Sequence, residues 1–353
     1  MPPHRRSGDG TGAAEGYFGL PLADLDAVVE RSSADLVALS GASVLVTGGT
    51  GFLGSWIVAS LLRANETLGL GQRLVVLSRS PELVPLEQGP GLELVRGDVR
   101  ILPEIGSVDL VVHGAASSAV RFGEGDGEPR ALTATIVDGT RAVLELAARS
   151  GARLLFLSSG AVYGRQQAPV GEDEHGGPDP LDPRSAYGEA KRLAETLCAV
   201  AALAGELEAV VARLFAFVGP RIPLEAHFAA GNFIADALAR RPIEVEGDGT
   251  AQRSYLYSGD LPQWCAALLA RGASGRAYNV GSPEQLSIAE LATRVAALVD
   301  PPLPVVVRGA QQPQPLSCYV PSVARAASEL GLRPEVGLDE ALAKTHHWCT
   351  AHH

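Results

Sequence analysis

The sequence has few lysines, few cysteines and no long apolar run, and each shortage excludes a class of protein. Only Lys191 and Lys344 are lysine among 29 basic residues, and the net charge is -11. Neither nucleic acid nor an anionic membrane is therefore expected as a partner. Four scattered cysteines without a Cys-x-x-Cys pair predict no metal site and no disulfide, as in a cytoplasmic protein. No run approaches the roughly 18 continuous apolar residues of a membrane span.

What the sequence does contain is an alternation of strand-like and helix-like segments. The predicted strands are 43–47, 73–78, 92–95, 109–113, 152–158 and 208–213. The predicted helices between them are 52–64, 131–149 and 186–204. Strands that alternate with helices predict right-handed crossovers and an α/β fold with a doubly wound parallel sheet of the Rossmann type. Residues 43–214 are expected to form this cofactor-binding domain, and residues 255–272 to return to it.

Three further regions flank the predicted Rossmann domain. Residues 1–16 are rich in glycine, proline and charge, which predicts disorder. The apolar spacing over residues 17–42 predicts a helical N-terminal extension. The regular alternation breaks after the sixth strand, so residues 215–254 and 273–350 are assigned to a smaller C-terminal substrate-binding lobe.

A glycine-rich turn joins the first predicted strand to the first long helix. Its glycines are Gly48, Gly51 and Gly54, in the run Thr-Gly-Gly-Thr-Gly-Phe-Leu-Gly. A strand, a glycine turn and a helix together point backbone N–H groups at a phosphate. The spacing differs from the commonest dinucleotide pattern, so a tight turn without a ligand is the alternative.

The ends of the second and third strands bear on the choice of cofactor. A fold that binds NAD usually has an acid after the second strand for the ribose hydroxyls, whereas here the strand ends at Ser78 and Arg79. An arginine suits a bidentate grip on a 2′-phosphate, which favours NADP(H). NAD(H) is possible if Arg79 is only a solvated surface residue. Asp98 could accept from the adenine amino group, or it could be an ordinary turn residue.

A serine, a tyrosine and a lysine form the catalytic candidate. Tyr187 and Lys191 are four residues apart and so share a helix face, and Ser159 ends the fifth strand. An ammonium beside a phenol lowers the pKa of the phenol, so Tyr187 could exchange a proton with a carbinol or carbonyl oxygen. Ser159 could donate to that same oxygen, and Lys191 could also hold the nicotinamide ribose. A surface pair on one helix is the alternative interpretation of Tyr187 and Lys191.

Taken together, these motifs resemble the extended short-chain dehydrogenase/reductases, and more narrowly the nucleotide-sugar epimerase/dehydratase branch. The motifs are TGGTGFLG at 47–54, GDV at 97–99, HGAA at 113–116, SSGAVYG at 158–164 and YGEAK at 187–191. The resemblance continues through NFI at 232–234, the run at 249–261 and YNVGS at 278–282, and it covers about residues 43–350.

The resemblance implies a nicotinamide cofactor, a nucleotide-diphosphate sugar as substrate and a specific set of site residues. Cofactor contacts fall on Gly48, Gly51, Phe52, Leu53, Gly54, Asp98, Val99, Ala115 and Ala116, beside Ser78, Arg79, Tyr187 and Lys191. Ser159, Tyr187 and Lys191 become the catalytic residues. Ser117, Asn232 and Arg253 match positions that hold the substrate. The helices near 131–149 and 186–204 are expected to pair across a two-fold axis in a homodimer.

Departures from the family pattern narrow the expected reaction. The sugar 4,6-dehydratases have Asp-Glu directly after the catalytic serine or threonine, where this chain has Gly160 and Ala161. Asparagines of the family pattern are replaced by Ile136 and Ala216. We therefore expect an NADPH-dependent ketoreductase of a nucleotide-linked 4-keto-6-deoxyhexose, as in deoxysugar biosynthesis. The alternatives are an epimerase or another redox-neutral enzyme that retains NAD(P), and a cofactor-sensing module.

Overall fold

The computed structural model of the chain describes residues 14–86, 88–89, 91–116, 129–224, 228–309 and 317–353. Its α-helices are α1 (Leu22–Arg31), α2 (Ser33–Ala38), α3 (Phe52–Leu68), α4 (Pro129–Ser150), α5 (Ala186–Leu203), α6 (Ala229–Leu238), α7 (Leu261–Arg271), α8 (Ile288–Ala296), α9 (Ala324–Leu330) and α10 (Leu338–His352). Its strands are β1 (Ser43–Thr47), β2 (Arg73–Ser78), β3 (Leu92–Arg96), β4 (Leu110–His113), β5 (Arg153–Ser159), β6 (Ala209–Leu214), β7 (Ala216–Val218), β8 (Ile243–Val245), β9 (Gln252–Arg253), β10 (Tyr255–Tyr257), β11 (Ala277–Val280), β12 (Leu286–Ser287), β13 (Val305–Val307) and β14 (Cys318–Tyr319). Within these ranges no helix has the length and apolar character needed to cross a membrane.

A seven-stranded parallel sheet forms the centre of the molecule, in the order β11-β6-β5-β4-β1-β2-β3. Alternate residues of β1 serve opposite faces: Val44 and Val46 belong to one apolar cluster and Leu45 to another. A strand that is buried on both faces reads as a continuous apolar run, which is the pattern of this segment. The predicted doubly wound α/β fold is confirmed.

The two faces of the sheet are covered by different helices. Helices α3 and α7 pack against one face, where Trp56 and Trp264 are fully buried. Helices α4 and α5 pack against each other on the opposite face. Because the strands of the sheet are parallel, their carboxyl ends lie at the same edge, and those of β1, β2, β4 and β5 form one rim there.

The N-terminal extension is part of the folded body. Helices α1 and α2 pack on α3 and α7, and Asp24 of α1 accepts from Tyr257 Oη and Lys344 Nζ, both at 2.6 Å. Residues 14–16, within the segment predicted to be disordered, have defined contacts: the Gly16 amide donates to the Leu20 carbonyl at 2.8 Å. Residues 1–13 lie outside the described ranges.

The C-terminal lobe is assembled from very short strands that pair over long sequence distances. Strand β9 is antiparallel to β12 and parallel to β14, and β7 and β8 pair in parallel with β10 and β13. The predicted boundary at residue 273 is wrong for β11, which pairs with β6 and ends the main sheet. The physical reason is that β6 would otherwise present an unpaired edge.

Candidate active site

The glycine turn has a shape that only glycine allows at two of its positions. Gly48 has a φ of +75°, and a Cβ there would lie 2.6 Å from the Gly114 carbonyl oxygen. A Cβ on Gly54 would collide with the Gly48 carbonyl oxygen. Gly51 is exposed and begins α3 without a side-chain cap, so the first N–H groups of the helix are free to meet an anion. The turn therefore fits the pyrophosphate of a dinucleotide.

At the end of β2 the structure places a hydroxyl and a guanidinium. Ser78 Oγ accepts from the Ser80 amide at 3.2 Å, and Arg79 is exposed. Asp98 is already held by Arg100, whose Nη2 donates to Oδ2 at 2.6 Å and whose amide donates to Oδ1 at 2.9 Å. Hydrogen bonds from Arg100 lower the pKa of Asp98, so the group stays an acceptor. An adenine amino group would have to share this carboxylate with Arg100.

Ser159, Tyr187 and Lys191 come together where β5 ends against α5. Ser159 Oγ accepts from the Ala161 amide at 3.1 Å, and Lys191 Nζ donates to the Leu157 carbonyl oxygen at 2.7 Å. The Lys191 ammonium also lies 4.8 Å from the Phe156 ring centroid and 6.0 Å from that of Tyr187. The lysine is 3% exposed, so its charge is held inside the protein by a carbonyl dipole and two rings.

The pKa values of these groups differ from the sequence-based expectation. Burial raises the pKa of Tyr187, and a hydrogen bond from Ser159 opposes that rise. The expected lowering by Lys191 is wrong in direction, because the ammonium faces the Leu157 carbonyl and the ring rather than the phenol oxygen. Burial also lowers the pKa of Lys191 to about 8, against the attraction of Glu195.

A chain of hydrogen bonds behind the site joins β1, β4 and α4 through His113. The Ala115 amide donates to Thr47 Oγ1 at 3.2 Å, and Thr47 Oγ1 lies 2.7 Å from His113 Nδ1. On the other side His113 Nε2 lies 3.1 Å from Thr140 Oγ1, which donates to the Ile136 carbonyl at 2.6 Å. Since the single proton of Thr140 is committed to that carbonyl, the network assigns the imidazole proton to Nε2. Burial lowers the pKa of His113 to about 3, so the ring is neutral.

An ion pair anchors α5, the helix that bears the candidate catalytic residues Tyr187 and Lys191. Glu195 on α5 accepts from Ser158 Oγ at 2.5 Å and from Arg213 Nη2 at 2.7 Å. Arg213 also donates to Tyr163 Oη at 2.8 Å, and Tyr163 donates to Asn279 at 2.7 Å. These contacts fix α5 against β5, β6 and β11, and so fix the spacing between Ser159 and Tyr187.

The C-terminal lobe contributes two side chains to the candidate site, Tyr319 and Arg253, which lie on adjacent strands. Tyr319 of β14 has its hydroxyl 3.4 Å from Ser159 Oγ, and Tyr319 is the register partner of Arg253 on β9. Arg253 Nη1 donates to the Gln252 carbonyl at 2.8 Å and to that of Ser317 at 3.3 Å. Its charge lowers the pKa of Tyr319, although burial raises that pKa by more. The strand pairing thus places Arg253 beside the tyrosine that contacts Ser159.

A comparison with known protein families identifies the family to which the chain belongs. The sequence profile of the NAD dependent epimerase/dehydratase family matches residues 44–281. The chain belongs to this family. It is 33% identical to UDP-glucuronic acid decarboxylase 1 of Arabidopsis thaliana over 308 residues, which are 85% of this chain and 68% of that protein.

Solved members of the epimerase/dehydratase family share the fold. The epimerase Mth375 of Methanothermobacter thermautotrophicus superposes with a TM-score of 0.77 at 26% identity, over 92% of this chain and 96% of that one. MoeE5 in complex with UDP-glucuronic acid and NAD gives a TM-score of 0.72 at 28% identity, over 88% of this chain and all of that one. The protein is accordingly an NAD-dependent enzyme of the nucleotide-sugar epimerase/dehydratase type.

The predicted site residues of this family member fall in three places. The glycine turn, Phe52, Leu53, Ala115 and Ala116 lie along the rim formed by β1 and β4. Val99 packs against Gly139 of α4, where a Cβ would come within 2.8 Å of it. Asn232 is half-buried on α6, in the C-terminal lobe. Ser117 lies outside the described residues. The binding roles of all these residues stay predictions.

Two groups at the site escaped the sequence analysis. Tyr319 lies in a two-residue strand that has no local signal, and only its pairing with β9 brings it to Ser159. His113 belongs to the HGAA motif, but its contacts with Thr47 and Thr140 join residues far apart in the chain, so no local signal predicts them. Over the described ranges, no group of three His, Cys, Asp or Glu residues could hold a metal ion.

Proposed function

We propose that this enzyme is a redox-neutral 4-epimerase of a UDP-hexuronic acid, with UDP-glucuronic acid as the substrate. The observation that carries the proposal is the set of proton-transferring side chains at the end of β5. Ser159 hydrogen bonds to Tyr187, so both hydroxyls can contact the same oxygen of the sugar. The two residues after Ser159, Gly160 and Ala161, have no group that could move a second proton. The substrate class is supported by the names of the decarboxylase relative and of the MoeE5 complex.

The protein's own groups supply the proton transfers at one carbon, and the hydride transfer would come from the nicotinamide that the glycine turn would hold. When bound, the nicotinamide accepts a hydride and returns it. Tyr187 removes the proton of the C4 hydroxyl and later restores it, while Ser159 donates to the same oxygen. Lys191 holds its positive charge on the Leu157 carbonyl, 6.0 Å from the Tyr187 ring centroid, and the glycine turn would hold the cofactor. Epimerisation then requires only that the 4-keto sugar present its other face before the hydride returns.

The expected ketoreductase has less support than this redox-neutral alternative. The relatives named above are a decarboxylase, an epimerase and a protein that was solved with a sugar acid and NAD. A reductase would consume its cofactor stoichiometrically, whereas an epimerase recycles it within one turnover. The preference for NADP(H) predicted from Arg79 remains a prediction, since the solved relative contains NAD.

Decarboxylation is the second candidate, because relatives at 33% identity carry that name. Oxidation at C4 makes the C6 carboxylate of the sugar a β-keto acid. Breakage of the C5–C6 bond then releases CO2 and leaves an enolate, which must gain a proton at C5 before the ketone is reduced. A proton donor near C5 is the extra requirement of this reaction.

Product analysis separates these reactions. The enzyme would be purified, tested for nicotinamide that co-purifies, and incubated with UDP-glucuronic acid without added cofactor, followed by NMR of the sugar. The C4 epimer of the substrate is the expected product. A UDP-pentose with release of CO2 would identify the decarboxylase. Conversion of only a 4-keto sugar nucleotide, with stoichiometric oxidation of NADPH, would refute the proposal in favour of the ketoreductase. The Tyr187→Phe variant is the control for background turnover.

We also propose a homodimer that pairs α4 and α5 with their copies. The support is an apolar stripe on the outer side of α5, where Leu193, Val200 and Leu203 are 44%, 59% and 91% exposed. Residues at this spacing share one helix face, and such a stripe favours a partner surface. Light scattering of the wild type should give twice the chain mass, and the double variant Leu193→Glu with Val200→Glu should give a monomer. A monomeric wild type would refute this assembly.

A further inference from the structure

Tyr319 is a half-buried phenol beside Ser159, and it belongs neither to the glycine turn nor to the Ser-Tyr-Lys set. Its hydroxyl lies 3.4 Å from Ser159 Oγ, and the Ala161 backbone also hydrogen bonds to it. Strand β14 presents it from the C-terminal lobe, whereas Ser159 and Tyr187 belong to the sheet and α5. Three hydroxyl groups therefore meet at one point, from three separate parts of the chain.

The small residues after Ser159 make room for this phenol. A Cβ on Gly160 would lie 2.8 Å from the Phe215 ring, and that ring packs on Tyr319 with centroids 4.8 Å apart. Phe215, Tyr163, Val162 and Val170 form a small apolar cluster against which Tyr319 rests. A larger side chain at position 160 would displace the Phe215 ring and with it the packing of Tyr319. The glycine after Ser159 and the position of Tyr319 therefore depend on each other.

The donor and acceptor positions of the Ser159 hydroxyl determine how the Tyr319 hydroxyl can interact with it. Ser159 Oγ has one proton and two acceptor positions, and the Ala161 amide occupies one acceptor position at 3.1 Å. A donor at the second acceptor position would orient the hydroxyl and leave its proton for a substrate oxygen. Burial raises the pKa of Tyr319, so its hydroxyl keeps its proton and is such a donor. Ser159 is the donor toward the Tyr187 hydroxyl, so the Tyr319 hydroxyl is the one placed to donate to Ser159.

We infer that Tyr319 is a positioning residue for Ser159: its hydroxyl donates to Ser159 Oγ and so directs the serine proton to the reacting oxygen of the sugar. This inference deepens the proposed function and rests on it. A hydroxyl that accepts a hydrogen bond becomes a better donor, so the contact from Tyr319 strengthens the one from Ser159. The C-terminal lobe thereby completes the catalytic site as well as binding the nucleotide.

A double-mutant cycle tests whether Tyr319 acts through Ser159. The variant Tyr319→Phe keeps the ring on Phe215 and removes only the hydroxyl, and kcat should fall by about 3- to 10-fold with KM within about twofold. In a Ser159→Ala background the same substitution should have no effect on kcat. Tyr278→Phe is the matched control, because its hydroxyl bonds to Glu329 away from the site and its loss should leave kcat unchanged. Thermal unfolding of each variant checks that the fold is intact.

The possible outcomes separate three roles. Equal losses in both backgrounds would overturn the inference, since Tyr319 would then act independently of Ser159. A rise in KM alone would also overturn it, because the phenol would then only contact substrate. No change in either constant would leave Tyr319 a packing residue and refute the proposal.

A titration without substrate separates failure of this inference from failure of the proposed function. The groups around the Tyr187 phenol are Lys191 on the same helix, Ser159 on β5 and Tyr319 on β14. The tyrosinate absorbance of Tyr187, taken as the difference from Tyr187→Phe, should titrate at higher pH in Tyr319→Phe, since Ser159 then donates less strongly. The shift should vanish in the Ser159→Ala background. An unshifted titration overturns the inference even if the sugar substrate proves to be a different one.

Discussion

Ser159 and Tyr319 lie 3.4 Å apart, yet they reach the active site by different routes. Ser159 ends a seven-residue strand that is paired on both sides within the main sheet. Tyr319 belongs to a two-residue strand that pairs with β9 and lies 160 residues further along the chain. One side of the site is thus built from long parallel strands, and the other from short pairings in the C-terminal lobe.

From this contrast we expect proton transfer to depend on the sheet side, with Tyr319 as the contribution of the lobe, and substrate binding to depend on Arg253. The sheet side carries Ser159, Tyr187 and Lys191 on elements that are fixed by the Glu195–Arg213 ion pair. The lobe side carries Arg253 and Tyr319 on short strands, whose pairing offers few hydrogen bonds. Changes on the sheet side should therefore affect kcat, and changes at Arg253 should affect KM.

Removal of the Tyr187 hydroxyl should give the largest effect. Tyr187→Phe removes the group that exchanges a proton with the sugar, so kcat should fall by about 100- to 10,000-fold. The NAD(P) content of the purified variant should match that of the wild type, because the glycine turn is untouched. Steady-state kinetics and cofactor release measure both quantities. A variant that keeps a tenth of the wild-type kcat would contradict the role of Tyr187.

Substitution of Arg253 should affect binding instead of chemistry. Arg253→Ala removes a cation expected at the nucleotide diphosphate, and charged hydrogen bonds of this kind correspond to about a 10- to 100-fold rise in KM. Arg333→Ala, an exposed change in the same lobe, should leave KM unchanged. A fall in kcat with constant KM in Arg253→Ala would contradict the assignment of Arg253 to substrate binding.

Acid should destabilise the sheet side through His113. In the unfolded chain the ring gains a proton below about pH 6.5, whereas the folded ring stays neutral down to about pH 3. The unfolded state binds more protons in this window, so the free energy of unfolding falls as the pH falls, by about 2 kcal/mol between pH 6.5 and pH 5.

A substitution that cannot titrate isolates this contribution. His113→Asn should lose less stability than the wild type between pH 7 and pH 5 in urea unfolding, by about the same 2 kcal/mol. His347→Asn changes an exposed histidine and is the matched control. Parallel pH dependences for His113→Asn and the wild type would show that the buried ring is not responsible.

The smallest predicted effect concerns the choice of cofactor. If Arg79 binds a 2′-phosphate, Arg79→Ala should weaken NADP binding by about 10-fold and leave NAD binding unchanged. Isothermal titration with both cofactors measures this, with the exposed change Arg149→Ala as control. Equal binding of NAD and NADP by the wild type would show that Arg79 does not determine the choice of cofactor.

The elements that sequence reasoning located well are those whose signals are local. The β1–α3 turn needs glycine because of backbone geometry at Gly48 and Gly54, and Tyr187 and Lys191 share a face because of helical periodicity. The prediction for strand β11 was wrong, since a four-residue segment with an asparagine in it does not reveal whether it joins a strand more than 60 residues upstream. Tyr319 was missed for the same reason. The pKa of Tyr187 could not be predicted either, because burial and the direction of the Lys191 ammonium are properties of packing.

The scarcity of lysine gives the folded protein a chemical property of its own. Its two side-chain amines both sit in specific contacts: Lys191 on the Leu157 carbonyl, and Lys344 on Asp24. Reductive methylation with isotope-labelled formaldehyde would place NMR-visible methyl groups at these two positions. One label would report on the catalytic interior, and the other on the joint between the N-terminal extension and the last helix.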